Sequence, residues 1–207
     1  MTDPNYSAML LIIDRSGSMM GIRDDMVLGL TKMLHEQAAM LGLLTVDIVN
    51  FDNQIEYQCS LTDPKDVVVE LEPRGGTALY DAIGTGVNTF GATLAALPEH
   101  ARPGAVQVVV VTDGQENSSR EYTAGEVHRL VTRQTKTYGW DFVFLGANQD
   151  AVLNGAKLGF DADKALTFAP EVDQIAAMTG TLSRYVTKTR THGSRGFTSE
   201  ERKDAGA

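Results

Sequence analysis

The chain carries a single cysteine, Cys59, in 207 residues. No internal disulfide can form, and a chain of this length buries a sizeable core without one. Cys59 lies in an alternating strand-like pattern, where it reads as a small core residue rather than a nucleophile. Long hydrophobic runs are lacking as well. The first residues, Met-Thr-Asp-Pro-Asn-Tyr, have no basic start of an export signal, and the apolar run after them, Ala8 to Ile13, is far too short for a bilayer. This predicts a cytoplasmic protein that does not bind membranes. Positive charge is scarce: 18 Lys and Arg stand against 27 Asp and Glu, for a net charge of −9. Such a surface repels phosphate backbones and argues against a nucleic-acid partner. The local exception is the C-terminal stretch bearing Arg184, Lys188, Arg190 and Arg195, readable as a solvated terminus or as a docking segment.

Several enzyme signatures are also missing. Gly84-Thr-Gly86 falls inside a helical pattern without the third glycine of a dinucleotide loop, and there is no Gly-x-x-x-x-Gly-Lys-Ser/Thr. An aspartyl phosphatase would need a second aspartate two residues after Asp14, where Ser16 stands. His35 and His128 fall in helical patterns, His100 and His192 in loops, and no pair has metal-ligand spacing. No histidine and acid are placed to activate Ser16 or Ser18.

What is present is an ordinary globular composition, 43% hydrophobic and 22% charged, arranged as alternating strands and helices. Strands are predicted at Ala8 to Ile13, Leu44 to Phe51, Ala105 to Thr112, Asp141 to Gly146 and Ala165 to Phe168. The turn at Asp52-Asn53 leads into Gln54 to Cys59 as an antiparallel edge strand. A helix over roughly Ile22 to Leu41 carries Ile22, Met26, Leu30, Met33, Leu34, Ala38 and Leu41 on one stripe. A second helix, after Gly75-Gly76, carries Leu79, Ile83, Val87, Phe90, Leu94 and Leu97. Thr123 and Glu126 form a capping box that opens a third helix, running to about Tyr138. A short helix spans about Ala151 to Leu158. Pro170 opens a last one, with Val172, Ile175, Leu182 and Val186 inward. Residues from about Lys188 carry no period and read as a polar, basic tail (188–207) after one α/β domain (1–187). The alternation implies a mostly parallel sheet covered on both faces, with ligands at the carboxyl ends of its strands.

Two strands end there in aspartate, at Asp14 and at Asp113. In Asp14-Arg-Ser16-Gly-Ser18 two hydroxyls follow at i+2 and i+4, and a chain leaving a strand can turn all three side chains to one side. Gly17 and Gly21 let that loop fold tightly. Oxygen donors without His or Cys select a hard ion, and a small octahedral site favours Mg²⁺, with Mn²⁺ or Ca²⁺ as alternatives.

The pattern Asp-x-Ser-x-Ser, then Gly-Gly-Thr, then an apolar strand ending Thr-Asp-Gly, resembles the von Willebrand factor A (vWA) domain. It matches that family's metal-ion-dependent adhesion site (MIDAS). Leu11-Ile-Ile-Asp-Arg-Ser-Gly-Ser-Met, Pro73-Arg-Gly-Gly-Thr-Ala-Leu-Tyr-Asp and Thr112-Asp-Gly-Gln-Glu-Asn are most similar to stand-alone bacterial and bacteriophage members. The resemblance implies a three-layer, Rossmann-like α/β fold with a six-stranded sheet in the order 3-2-1-4-5-6, strand 3 being the antiparallel edge. It implies that Ser16, Ser18 and Thr77 touch the ion through hydroxyls while Asp14 and Asp113 act mainly through bound waters. It also implies binding rather than catalysis, with an acidic side chain of a partner protein completing the coordination. Repulsion between that acid and the net negative chain is screened beyond about 8–10 Å.

Around these five, Arg15 is either a contact to the acidic ligand or a surface arginine. Gln115, Glu116 and Asn117 either shape the rim or hold the ligands by hydrogen bonds. Asn148, Gln149 and Asp150 follow the fifth strand and fit the same rim, although Asp150 equally fits a cap for the helix at Ala151. Asp52 either makes its turn or points to the same edge. The functional expectation is a cytoplasmic or virion-associated adaptor. The competing readings are an assembly component of a phage or contractile particle, and a metal-dependent hydrolase.

Overall fold

A computed structural model describes residues 2–147, 150–193 and 196–205. Its strands are β1 (Asp3–Asp14), β2 (Leu43–Phe51), β3 (Ile55–Thr62), β4 (Pro103–Thr112), β5 (Asp141–Ala147) and β6 (Ala165–Phe168). Its helices are α1 (Arg23–Ala38), α2 (Leu79–Ala96), α3 (Ala124–Tyr138), α4 (Ala151–Lys157), α5 (Val172–His192) and α6 (Ser199–Asp204). The strands form one six-stranded sheet in the order β3-β2-β1-β4-β5-β6. Only β3 runs antiparallel, on β2. Order and direction are those expected from the sequence.

Period-two alternation in β1 separates the two core layers. Met9, Leu11 and Ile13 pack with Met26, Leu30 and Met33 of α1 and with Ile175, Leu182 and Tyr185 of α5. Ala8, Leu10 and Ile12 face the other way, onto Ile83, Val87 and Phe90 of α2 and Val127 and Val131 of α3. Because β1 and β4 are buried on both faces, they read as continuous apolar runs. The chain leaves β1 toward β2 on one side, while β4 begins the other half of the sheet. The crevice at the carboxyl ends of β1 and β4 is therefore the switch point of the fold.

Several boundaries differ from the sequence expectation. Helix α1 ends at Ala38, and Leu41 is 99% exposed beside Gly42, whose φ is +88°. Val172, expected inward, is the first residue of α5 and is 61% exposed. Leu97 is half-buried and caps α2.

The largest difference lies after Lys188. Helix α5 continues to His192 and closes on Gly193 in the left-handed region. A Thr198–Glu201 capping box then starts α6. Phe197 and Ala205 are buried in the α1/α5 layer, and the Phe197 ring lies 4.7 Å from that of Tyr185. Lys188 Nζ donates to both carboxylate oxygens of Glu201, at 2.8 and 3.0 Å. Arg202 donates to the Ala162 and Ala165 carbonyls, and Arg190 to the Gln37 carbonyl. Two isolated apolar residues make no period, so the docking of this stretch left no pattern in the sequence. Arg195 lies outside the described residues.

Candidate metal centre

Asp14 and Asp113 end β1 and begin the loop after β4, two strands that run side by side with Ile13 opposite Val111. Asp14 is fully buried. Its Oδ1 accepts the Ser16 N–H at 2.7 Å and its Oδ2 accepts the Thr112 hydroxyl at 2.6 Å. The first bond folds the chain back over the strand end, as an aspartate does when it caps the residue two positions on. A short 3-10 turn over Gly17–Gly21 then carries Ser18 back, so that its Oγ lies 3.0 Å from Ser16 Oγ and donates to Asp113 Oδ1 at 2.7 Å.

Thr77 reaches the same point from the loop before α2. A Cβ on Gly114 would lie 2.8 Å from Thr77 Oγ1 and 3.5 Å from Asp14 Oδ2. The hydroxyl of Thr77 makes no hydrogen bond among the described residues. Its backbone is clamped by Asn117, whose Oδ1 accepts Thr77 N–H at 2.9 Å and whose own N–H donates to Thr77 O at 3.0 Å. Asp14, Ser16, Ser18, Thr77 and Asp113 thus converge, graded from buried Asp14, Ser16 and Thr77 to exposed Ser18.

Electrostatics make this an anionic cradle. Burial pushes the Asp14 carboxyl up to about 6 against the hydrogen bonds from Thr112 and Ser16, and nearby Asp113 adds to the rise. Burial also raises Asp113, opposed by the Ser18 hydroxyl. No Lys, Arg or His pairs with either carboxylate among the described residues. A buried carboxylate without a cation is costly, and a bound divalent ion relieves it. Two carboxylates, the hydroxyls of Ser16, Ser18 and Thr77, and a glycine in place of any side chain fit a small hard cation.

Arg15 is placed differently from the acid-contacting reading. It is buried, and its guanidinium is taken up by Asp52 and Glu56. The Asp52 contact, Nε to Oδ2 at 3.1 Å, has ion-pair distance without hydrogen-bond alignment. Asp52 makes its turn by accepting Gln54 N–H at 2.6 Å, and also accepts Arg74 Nε at 2.7 Å. Burial raises Asp52, but Arg74, the Gln54 N–H and the Arg15 charge outweigh it and hold the carboxyl below its ordinary value. With Arg74 N–H on Arg15 O at 2.7 Å and Ala78 N–H on Asp52 O at 2.9 Å, this group fastens the Thr77 loop to the end of β1.

Glu116 likewise points inward, accepting from Tyr80 N–H, Ser118 N–H and both the N–H and the hydroxyl of Ser119. Gln115 is exposed and lines a cleft with Gly114, Tyr80 and Lys157. Asp150 caps α4 by accepting Leu153 N–H at 2.9 Å. Asn148 and Gln149 lie outside the described residues. Sequence reasoning overlooked Thr112 and Asp81. Asp81 accepts three successive N–H groups, of Arg120, Glu121 and Tyr122, at 2.7–2.9 Å. A polar residue closing a valine-rich strand was the available signal for Thr112; Asp81 lay in a helical pattern and gave none.

No protein-family model matches the sequence, and no curated protein matches it. Solved structures do. The vWF domain of the type V pili tip protein Mfa5 from Porphyromonas gingivalis has a TM-score of 0.66 at 10% identity, covering 94% of this chain and 98% of that one. Proximal thread matrix protein 1 from the mussel byssus has a TM-score of 0.62 at 15% identity, covering 87% of this chain and 46% of that one. A structure of the same mussel protein with a zinc occupied MIDAS motif has a TM-score of 0.58 at 15% identity, again over 87% and 46%. The chain spans less than half of the mussel protein and nearly all of the pilus-tip domain. Strand order, the antiparallel edge and these superpositions together give this chain the von Willebrand factor A fold.

Proposed function

We propose that the chain is a metal-dependent protein-binding module whose ion is completed by an acidic group of a partner. The observation that carries this reading is the convergence of Ser16, Ser18 and Thr77 hydroxyls on a buried, cation-free Asp14 beside Asp113. Oxygen donors of this kind favour Mg²⁺, with Mn²⁺ or Ca²⁺ as substitutes. The bound ion supplies a Lewis-acidic position that accepts an outside carboxylate. Ser16, Ser18 and Thr77 would hold it, Asp14 and Asp113 would balance its charge, and Thr112 and Asn117 would keep Asp14 and Thr77 aimed. The exposure of Ser18 leaves the outer side accessible to a partner. Binding rather than turnover is the reading we favour. The carboxylates that the Ser16 and Ser18 hydroxyls meet, Asp14 and Asp113, are the ones this proposal assigns to the ion, which leaves them unsuited to act as a base.

A second reading, a component of a phage, contractile or other assembled particle, draws on neighbours that are a pilus tip protein and a thread matrix protein. Both readings concern a cytoplasmic or virion-associated protein; among the described residues no helix is long and apolar enough to cross a membrane. Capture of host proteins with and without Mg²⁺, with Thr77→Ala as control, tests the proposal. Partner recovery should require Mg²⁺ and fall with Thr77→Ala while the circular dichroism spectrum is unchanged. Recovery that persists in EDTA would sink it. Capture into a large particle through contacts away from residues 14–18 favours the assembly reading, and metal-dependent turnover abolished by Asp14→Ala the hydrolase.

A further inference from the structure

At the opposite pole of the sheet, between α2, α3 and the start of β4, lies a cleft of about 460 Å³. That is the volume of sites that take small molecules rather than single ions. Its walls include Asn88, Gly91, Arg102, Arg133, Tyr138 and Trp140. Trp140, the single tryptophan of the chain, is 7% exposed and packs edge-on to Phe90 and stacked with Phe142, with ring centroids at 5.7 and 6.2 Å. Gly91 lies over its edge: a Cβ there would stand 3.5 Å from the ring. Tyr138 is 57% exposed, with the Arg133 guanidinium 6.0 Å from its ring centroid.

Charge sets this cleft apart from the rest of the molecule. No Asp or Glu lines it, although the chain carries a net charge of −9. Arg102 is fixed by donating to the Leu97 and Ala95 carbonyls, at 2.9 and 2.6 Å, acceptors that carry no formal charge. Glu99 senses Arg102 electrostatically but forms no ion pair with it among the described residues. Arg133 has no carboxylate partner among the described residues either. A planar guanidinium over an aromatic ring offers both a charge and a stacking face.

We propose that this cleft is a binding site for a small aromatic anion, its ring lying against Trp140 and Tyr138 and its carboxylate or phosphate meeting Arg133 and Arg102. The site is separate from the metal centre and does not depend on it. The Trp140 indole N–H gives one side-chain resonance, which serves as the reporter. Titration with biphenyl-4-carboxylate should shift that resonance saturably, and Arg133→Ala should weaken binding by about tenfold, the scale of one lost charge-assisted contact. The neutral biphenyl-4-carboxamide should bind as weakly as the variant does to the acid, and inorganic phosphate should bind no better. No shift at millimolar acid overturns the proposal. So does equal binding of acid and amide, phosphate binding as tight as the acid, or undiminished binding by Arg133→Ala. Because Arg133 is exposed on α3, its replacement leaves the fold intact.

Discussion

Gly114 shows how a single residue type shapes the proposed metal face. A methyl group there would meet Thr77 Oγ1 at 2.8 Å, inside the space a cation and its ligands need. Gly114→Ala should lower Mg²⁺ or Mn²⁺ affinity by about 10–100-fold, the range for disturbing groups that orient metal ligands. Calorimetric titration measures it, and unchanged affinity would show that Thr77 stands outside the site. Asp14 yields a pH prediction. Its carboxyl sits at about 6 in the folded protein against an ordinary value of 3.8. Between those values the metal-free folded state holds a proton that the unfolded state has lost. Stability therefore falls as pH rises through that window, by about 3 kcal/mol at most from a raise of some two units. Urea unfolding in EDTA should show this slope in the wild type and a shallower one in Asp14→Asn, where raised Asp113 still contributes; parallel curves would refute it.

At the scale of elements, the loop after β4 is tied to the first turns of α2 by carboxylates as well as by the Tyr122 ring, which lies against Gly84. Asp81 holds Arg120, Glu121 and Tyr122 N–H, and Glu116 reaches back to Tyr80 N–H. Since Thr77 and Asp113 flank these two segments, the ties make them one rigid unit. Asp81→Ala should cost about 2–3 kcal/mol through unsatisfied donors. Amide exchange should quicken across residues 114–122 and stay slow in α1. Uniform quickening would mean that Asp81 supports the whole core and not this loop.

Over the whole molecule, the C-terminal stretch closes the α1/α5 layer. Phe197 covers Tyr185, whose hydroxyl donates to the buried Asp141 at 3.0 Å. Gln107 and Lys164 reach the same carboxylate, so the stretch shields a polar knot at the amino end of β5, beside the middle of β4. Phe197→Ala should destabilise the protein by about 3–5 kcal/mol, the scale for a buried aromatic side chain, visible as a lowered midpoint in thermal melting. An unaltered midpoint would restore the reading of a solvated tail.

Much of this was legible residue by residue. The buried strands announced themselves as apolar runs, the Thr123–Glu126 box gave the start of α3, and Asp52-Asn53 gave the turn to β3. Asp14, Ser16 and Ser18 were legible because local chain geometry alone brings them together. Arg15 was not, because its partners Asp52 and Glu56 are set by the pairing of β2 and β3. Asp150 was readable two ways, and its short bond to Leu153 N–H shows the cap.

The sequence by itself determined the alternation of elements, hence a covered parallel sheet, and the oxygen donor types at two strand ends, on which the proposal of a hard ion rests. Those follow from short-range periodicity and from side-chain chemistry. Only the tertiary structure decided that Thr112 bonds Asp14 and Asn117 clamps Thr77, that Arg15 turns away, and that residues past Lys188 fold back on α5. Each of these depends on contacts between segments far apart in the chain, which leave no local pattern because the partner, not the neighbour, sets the environment.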